Sequence, residues 1–312
     1  VKIVVLSGGT GTPKLLIGFK KVVEETSLGI IVNTAEDVWV SGNKVCPDID
    51  SVIYALSGEI DTKKWWGIRD DSFLTNTWLK SLGYEEPLMI GDKDRATHIL
   101  RSEMLRKGLS LTETTKILAK TYGVTASILP MTEHEVATMI STPEGVMHFQ
   151  EFWVGRKGEP EVIDVFIRGI EGAEPTEEVI RAIETCDAVV IGPSNPVTSI
   201  GPILSLKGVK ELLKEKLVVA VSPFLGDKPF SGPAGKFMTA KGFEPSSRGI
   251  LEYYKDIINW LVLDHSDTLL KGITVSDNYR KIRVVKTNTV MKSRENSIRL
   301  AEFIVNLFDE DV

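Results

Sequence analysis

The stretch Val1-Lys2-Ile3-Val4-Val5-Leu6-Ser7-Gly8-Gly9-Thr10-Gly11-Thr12-Pro13-Lys14 decides the fold. Its apolar, β-branched first half reads as a core strand, Lys2–Leu6, and the helical spacing of Leu15–Val23 follows the glycines. A strand, a glycine loop and a helix in that order set a helix N-terminus beside bare backbone N–H groups, a ready site for an anion. Pro13 suits the first helical turn, where its missing N–H costs little. Lys14 adds a positive charge. The loop is not a Walker A sequence, since Pro13 precedes Lys14 and Leu15 follows it. It also departs from GxGxxG, because Lys14 stands where the third glycine belongs. Gly8, Gly9, Thr10, Gly11, Thr12 and Lys14 are therefore read as a nucleotide-phosphate cradle of another kind, with a plain tight turn as the competing reading.

The same alternation recurs downstream. Gly29–Asn33 leads into Thr34-Ala35-Glu36-Asp37, and Ala188–Ile191 ends at Gly192-Pro193-Ser194-Asn195-Pro196, with a helix expected across Gly208–Lys216. Leu217–Val221 ends at Ser222-Pro223, and Trp260–Leu263 at Asp264-His265. Apolar strands of this length, alternating with helices, predict an α/β fold with a Rossmann-like, doubly wound and mainly parallel sheet. Between about Gly58 and Tyr122 the pattern changes: Leu74–Leu82, Ala96–Arg106 and Leu111–Tyr122 have helical spacing and few strand signals. We expect residues 58–123 to form a helical insertion subdomain contributing to the substrate cleft, with 1–57 and 124–312 as the nucleotide-binding core. Val136–Ser141 and Val146–Val154, around Thr142-Pro143-Glu144-Gly145, read as a hairpin. A last helix is expected from Ser293 to about Phe308.

With 312 residues, 42% hydrophobic and 26% charged, the chain has the size and composition of a globular protein with a large core. No apolar run approaches the roughly 20 residues of a membrane span. Val1–Leu6 runs straight into the glycines with no small-residue cleavage site, so it reads as a strand and not a signal peptide. Cys46 and Cys186 lie far apart and outside any CxxC pair, which argues against a disulfide scaffold or zinc site and fits a reducing cytoplasm. A net charge of −6, with Lys and Arg spread along the chain, argues against a nucleic-acid partner but not against a small anionic ligand.

Several further segments carry candidate chemistry. The acids after Asn33 either bind ribose hydroxyls or a metal, or cap the next element. In an extended Cys46-Pro47-Asp48-Ile49-Asp50-Ser51, Asp48 and Asp50 would project to one side, towards a hard cation or a hydroxyl; otherwise Asp50 caps a short helix to Leu56. Gly91-Asp92-Lys93-Asp94-Arg95 reads as a loop before the Ala96–Arg106 helix, either a solvated entrance or an active-site segment turned towards Asp50. Gly192–Pro196, with Thr198, Ser199 and Gly201, offers small hydrogen-bonding groups to a nucleotide. Ser231-Gly232-Pro233-Ala234-Gly235-Lys236 is a weaker loop of that kind. His98 reads as a surface or core residue, and His134, His148 and His265 lack metal-ligand spacing. Trp65, Trp66 and Trp78 read as packing residues, with an aromatic wall for a flat ring as the alternative.

Together these segments resemble the 2-phospho-L-lactate transferase family that builds the deazaflavin coenzyme F-420. The resemblance rests on SGGTGTPKLL (Ser7–Leu16), NTAED (Asn33–Asp37), PDID (Pro47–Asp50), GDKDRATH (Gly91–His98), ILPMT (Ile128–Thr132), GPSNPVTSIGPIL (Gly192–Leu204) and SGPAGK (Ser231–Lys236). It implies transfer of a phospholactyl group from lactyl-diphosphoguanosine to a ribityl hydroxyl of the deazaflavin Fo, giving GMP and F-420-0. It further implies dependence on Mg²⁺ and a homodimer. On this resemblance Asp48 and Asp50 sit around the metal and the acceptor hydroxyl as catalytic residues, and Asp50, Asp92, Lys93 and Asp94 meet Fo or the transferred phosphate. The guanylyl half falls to Gly8, Gly9, Thr10, Gly11, Thr12, Lys14, Asn33, Ser194, Asn195 and Lys236. The rivals are a nucleotide-sugar-binding regulatory protein without turnover and a nicotinamide-dependent dehydrogenase. The missing third glycine, and a second strand ending in Asn-Thr in place of an acid, count against the dehydrogenase.

Overall fold

The computed structural model describes residues 1–225, 228–229, 232–268, 274–276 and 281–309. Strand β1 (Ile3–Ser7) feeds helix α1 (Gly11–Val22) and then β2 (Leu28–Val32). The short hairpin β3 (Val38–Val40) and β4 (Asn43–Val45) precedes α2 (Pro47–Ser57), α3 (Leu74–Ser81), α4 (Asp92–Arg106) and α5 (Leu111–Thr121). Next come β5 (Ser127–Pro130), β6 (Ala137–Thr142), β7 (Gly145–His148), β8 (Asp164–Arg168), α6 (Glu177–Thr185) and β9 (Ala188–Ile191). Helices α7 (Gly201–Ser205) and α8 (Val209–Lys214) lead to β10 (Leu217–Val221), and the small pair β11 (Phe224–Leu225) and β12 (Lys228–Pro229) follows. The chain continues through α9 (Ala234–Ala240), α10 (Ser247–Tyr254), β13 (Trp260–Asp264), β14 (Thr274–Ser276), β15 (Lys281–Thr287) and α11 (Arg294–Asp309).

The main sheet has the order β14-β15-β13-β10-β9-β1-β2-β5 and is parallel except where β14 meets β15. Its central strands β1, β2, β9, β10 and β13 are apolar on both faces because both are covered. Ile3, Val5, Ile30 and Val190 join Leu15, Phe19, Leu118 and Ile304 in one core. Val4, Leu6, Ile31 and Val189 join Val179, Ile183, Leu213 and Ile250 in the other. The expected doubly wound fold is what the chain adopts. From β1 the chain winds one way through β2 and β5, then restarts at β9 and winds the other way through β10, β13 and β15. The carboxyl ends of β1 and β9 therefore part at a switch point, where open α/β sheets bind ligands.

Local differences from the sequence reading have physical causes. Cys46–Ser51 is not extended: Pro47 takes the first position of α2, and Gly58 ends that helix in the left-handed region at φ +83°. The Gly91–Arg95 segment is not a loop but the first turn of α4, whose initial N–H groups are met by Asp71. The strand expected to run to Val154 stops at His148, and Glu151–Gly155 forms a wide helical turn. Ile128-Leu129-Pro130 is an edge strand; there a proline is tolerated because no further strand needs its N–H. Helices fill most of the structured part of residues 58–123, with capping by Ser110 and Glu113 at α5. Among the described residues no helix is long and apolar enough to cross a membrane.

Candidate active site

Two glycine-bearing loops meet at the switch point and fasten to each other. Ser194 donates through Oγ to the Gly8 carbonyl, lies 2.6 Å from Thr12 Oγ1 and receives the Thr12 N–H at 3.3 Å. A Cβ on Gly11 would lie 1.9 Å from the Pro193 carbonyl oxygen, and one on Gly192 would lie 2.1 Å from Thr12 Oγ1. These glycines are required first for loop-to-loop contact. Beside this junction opens a cleft of about 540 Å³, lined by Gly9, Thr10, Gly11, Pro193, Ser194 and Asn195 on the loop side. Asn195 spends its side-chain oxygen on the N–H groups of Val197 and Thr198, which caps the turn that follows.

The carboxylates come from the segments after β2 and from α2 and α4. Asp48 and Asp50 both line the cleft, but on a helix residues two apart do not face each other. Asp48 accepts hydrogen bonds from the Gly9 N–H at 2.7 Å and from Asn33 Nδ2 at 2.9 Å. Burial raises its carboxyl to about 6 despite these two bonds. Asp50 turns to α4, where Arg101 grips both of its oxygens and His98 Nε2 lies 3.2 Å from Oδ2. Burial alone would raise Asp50, yet the Arg101 charge and the His98 bond hold it below the ordinary carboxylate range. His98 Nε2 is also 3.1 Å from Asp94 Oδ1, which in turn accepts the Tyr54 hydroxyl at 2.8 Å. Burial disfavours charge on His98, but bonds to Asp50 and Asp94 outweigh it and raise the imidazole to about 9.

Asp50, Asp94 and His98 each offer one ligand atom, all within 4.8 Å of one another. They are a possible metal-binding triad. Two carboxylate oxygens suit a hard divalent cation, and an imidazole widens the choice to softer ones, provided it gives up its proton. Asp48, expected to share that metal with Asp50, stands outside the triad. Glu36 lines the cleft floor with Oε1 unpartnered, and burial followed by the nearby Asp48 charge raises its carboxyl well above the usual range. Burial likewise pushes the neighbouring Asp37 up to about 7, against the pull of Lys44.

The nominated cations lie elsewhere. Lys14 is half-buried with Nζ 4.8 Å over the Trp65 ring, and burial lowers its pKa. Lys93 donates to the Arg69 and Asp70 carbonyls at 3.3 and 3.1 Å, and Lys236 to the Gly158 and Glu159 carbonyls at 2.6 and 3.2 Å. Neither they nor Gly8, Thr12, Asn33 and Asp92 line the cleft. Asn33 is fully buried, positioning Asp48 from below, and Asp92 accepts the Leu74 and Thr75 N–H groups at the start of α3. Ser231 lies outside the described residues; its neighbours Gly232, Pro233 and Ala234 reach the cleft.

Sequence reasoning missed several residues. His98, read as a plain surface or core residue, is buried between two carboxylates. Asp94, His98 and Arg101 recur at intervals of four and three, the spacing that puts side chains on one helix face. That polar stripe was the available signal. Trp66, Phe149 and Trp153 line the cleft, whereas Trp78 is 69% exposed and packs into no core. Lys64 was not singled out at all, yet it lines the same cleft.

The model of the family "2-phospho-L-lactate transferase CofD" matches residues 3–302. A 2-phospho-L-lactate transferase of Methanococcoides burtonii is 52% identical, covering 98% of this chain and 99% of its own. Proteins of the same name from Methanosarcina acetivorans and Methanocaldococcus jannaschii are 51% and 46% identical, covering 98% and 97% of this chain and 99% and 97% of theirs. Two solved structures of a UPF0052-family protein from Bacillus halodurans superpose with TM-scores of 0.65 and 0.64 at 18% identity over 97% of this chain and 98% and 99% of theirs. The last two comparisons bear on the fold alone.

Proposed function

The chain belongs to the 2-phospho-L-lactate transferase CofD family, an enzyme family of transferases, and we propose that it moves a 2-phospholactyl group from lactyl-diphosphoguanosine to a hydroxyl of the deazaflavin Fo. In the proposed reaction the acceptor oxygen bonds to the lactyl-bearing phosphorus, the bond to the GMP oxygen breaks, and GMP leaves with that electron pair. The acceptor proton passes to a cleft carboxylate or to water. The products are GMP and the phosphodiester F-420-0. The observation that carries this reading is the convergence of the two glycine loops with Asp48, Asp50, Asp94 and His98 in one cleft at the switch point. Phosphoryl transfer depends on positioning and charge compensation more than on covalent chemistry by the protein, and a cleft so equipped suits it.

Residue roles follow from the same chemistry. The N–H groups of Thr10 and Gly11, beside the Gly9 N–H that Asp48 holds, receive the donor phosphates, and Ser194 and Asn195 form the adjoining wall. Trp66, Phe149 and Trp153 offer apolar surface to the flat acceptor ring. Asp50 and Asp94 would supply the oxygens for Mg²⁺, with His98 beside them. A bound Mg²⁺ would neutralise charge on the diphosphate and on the leaving GMP. Arg101 keeps Asp50 ionised and fixed, and Asn33 does the same for the position of Asp48. A homodimer and a cytoplasmic location complete the proposal.

Purified protein given Fo, Mg²⁺ and lactyl-diphosphoguanosine should release GMP and form F-420-0. Folded protein that binds both substrates without turnover would sink the assignment. Calorimetric affinity for a UDP-sugar with none for Fo would support the regulatory alternative.

A further inference from the structure

We infer that Lys64 is the anchor for the carboxylate of the transferred group, an inference that rests on the proposed phospholactyl donor. Such a donor carries an anion beyond its two phosphates, and a cation reaching the reacting end would recognise it. Among the described residues Lys64 is the one lysine or arginine that lines the cleft. The lysines nominated from sequence are engaged elsewhere: Lys14 over Trp65, Lys93 and Lys236 on backbone carbonyls. Arg101 is fully buried against Asp50.

The segment around Lys64 is built to present it. Ile60 and Ile68 bridge across the base, the Asp61 N–H bonds to the Gly67 carbonyl at 3.1 Å, and Trp65 holds φ +61°, a costly conformation for a bulky residue. The Lys64 ammonium lies 4.7 Å from the Trp66 ring centre and 4.9 Å from that of Phe73, so two aromatic faces steer it. Its carboxylate partner, Asp61 at 3.2 Å, is three residues away, in an ion pair whose lysine end is open to solvent. A local pair open to solvent at its lysine end contributes little, which leaves the ammonium able to turn to a substrate anion. Trp66 lines the cleft beside Lys64, so the cation sits where an apolar ring wall meets polar chemistry.

Lys64→Met keeps the aliphatic stem on the two rings and removes the charge. We expect its KM for lactyl-diphosphoguanosine to rise about tenfold, the effect of one charge-assisted hydrogen bond, with kcat changed far less. By calorimetry GDP, which lacks the carboxylate, should bind Lys64→Met and the unmodified protein alike. Lys64→Arg should recover most of the donor affinity. Equal weakening of GDP and donor would overturn the inference, as would a donor affinity unaltered in Lys64→Met. The binding comparison needs no turnover. Failure of the unmodified protein to transfer the group would therefore count against the proposed reaction, while loss of the donor-versus-GDP contrast counts against Lys64 alone.

Discussion

Asp50 shows why one side chain here serves two purposes. Its pairing with Arg101 is fully buried, so Asp50→Asn removes a carboxylate proposed to hold the metal and also strands a guanidinium in the interior. Breaking a buried pair from one side costs about 3–5 kcal/mol; loss of transfer in that variant should be accompanied by a lower melting temperature. Asp94→Asn is the cleaner probe. Asparagine still accepts the Tyr54 hydroxyl but takes one of two carboxylate charges from His98, so we expect a smaller fall in melting temperature than in Asp50→Asn, with transfer reduced about a hundredfold or more. Retention of near-normal turnover would remove Asp94 from the site. Asp37 tests burial itself. Its folded pKa of about 7 exceeds the unfolded value near 3.8, so the folded state binds a proton more tightly and stability contributed at low pH is lost as pH rises through 7. Relative to Asp37→Asn, the unmodified protein should lose on the order of 2 kcal/mol between about pH 5 and 8. Thermal melts of the two proteins that run parallel across that range would refute the burial argument. The Asp-rich motifs were legible in the sequence because short acidic segments after strands and at helix starts stand out. Arg101 was legible only through its spacing from Asp94 and His98, because α4 also carries Arg95 and Arg106 and nothing local marks which arginine faces the carboxylates.

The site is placed by two loops, each ending a parallel strand, and their contact is tighter than an anion cradle alone requires. Gly11 and Gly192 leave no room for even a methyl group between β1–α1 and the turn after β9. Gly11→Ala must therefore push Pro193 away, and overpacking of this kind costs about 1–3 kcal/mol. We expect a lower melting temperature together with weaker GDP binding, since the displaced wall is the one proposed to hold the phosphates; a variant that melts and binds normally would show that the junction is loose. Helix α3 is the opposite case. It buries none of its residues, and Leu74, Trp78 and Leu82 stay exposed along one face. Trp78→Ser should accordingly shift stability by less than about 0.5 kcal/mol by chemical denaturation. At this scale the strands β1, β2, β9, β10 and β13 were readable because each is a doubly buried apolar run. The wide turn at Glu151–Gly155 was hidden by Phe149, Trp153 and Val154, whose apolar character mimics a strand while serving the cleft.

Across the whole molecule the winding reversal explains why chemistry gathers at one place. The segments after β1, β2 and β9 all leave the same edge of the sheet, and the Asp94–His98–Arg101 stripe of α4 meets them through Asp50 on α2. The result is a cleft with few cations of its own among the described residues: His98 is shared by Asp50 and Asp94, Lys64 is loosely paired with Asp61, and Arg101 lies buried behind the cleft on Asp50. A diphosphate entering it meets backbone N–H groups but little uncommitted positive charge, so its own charge must be compensated from outside the protein. This is the physical case for a divalent cation, and it predicts two different sensitivities. Removing divalent metal with a chelator should weaken GDP binding at least about tenfold, because one charge-compensating contact of this strength is worth more than 1.4 kcal/mol. The fold should scarcely respond, since the ion pairs of Asp50, His98 and Arg101 satisfy the triad without metal, and a weakly held ion adds little stability by mass action. Calorimetry of GDP and thermal melts, each with Mg²⁺ and with chelator, read the two quantities separately. A large drop in melting temperature on chelation would make the metal structural, and unaltered GDP affinity would make the protein's own groups sufficient for the diphosphate.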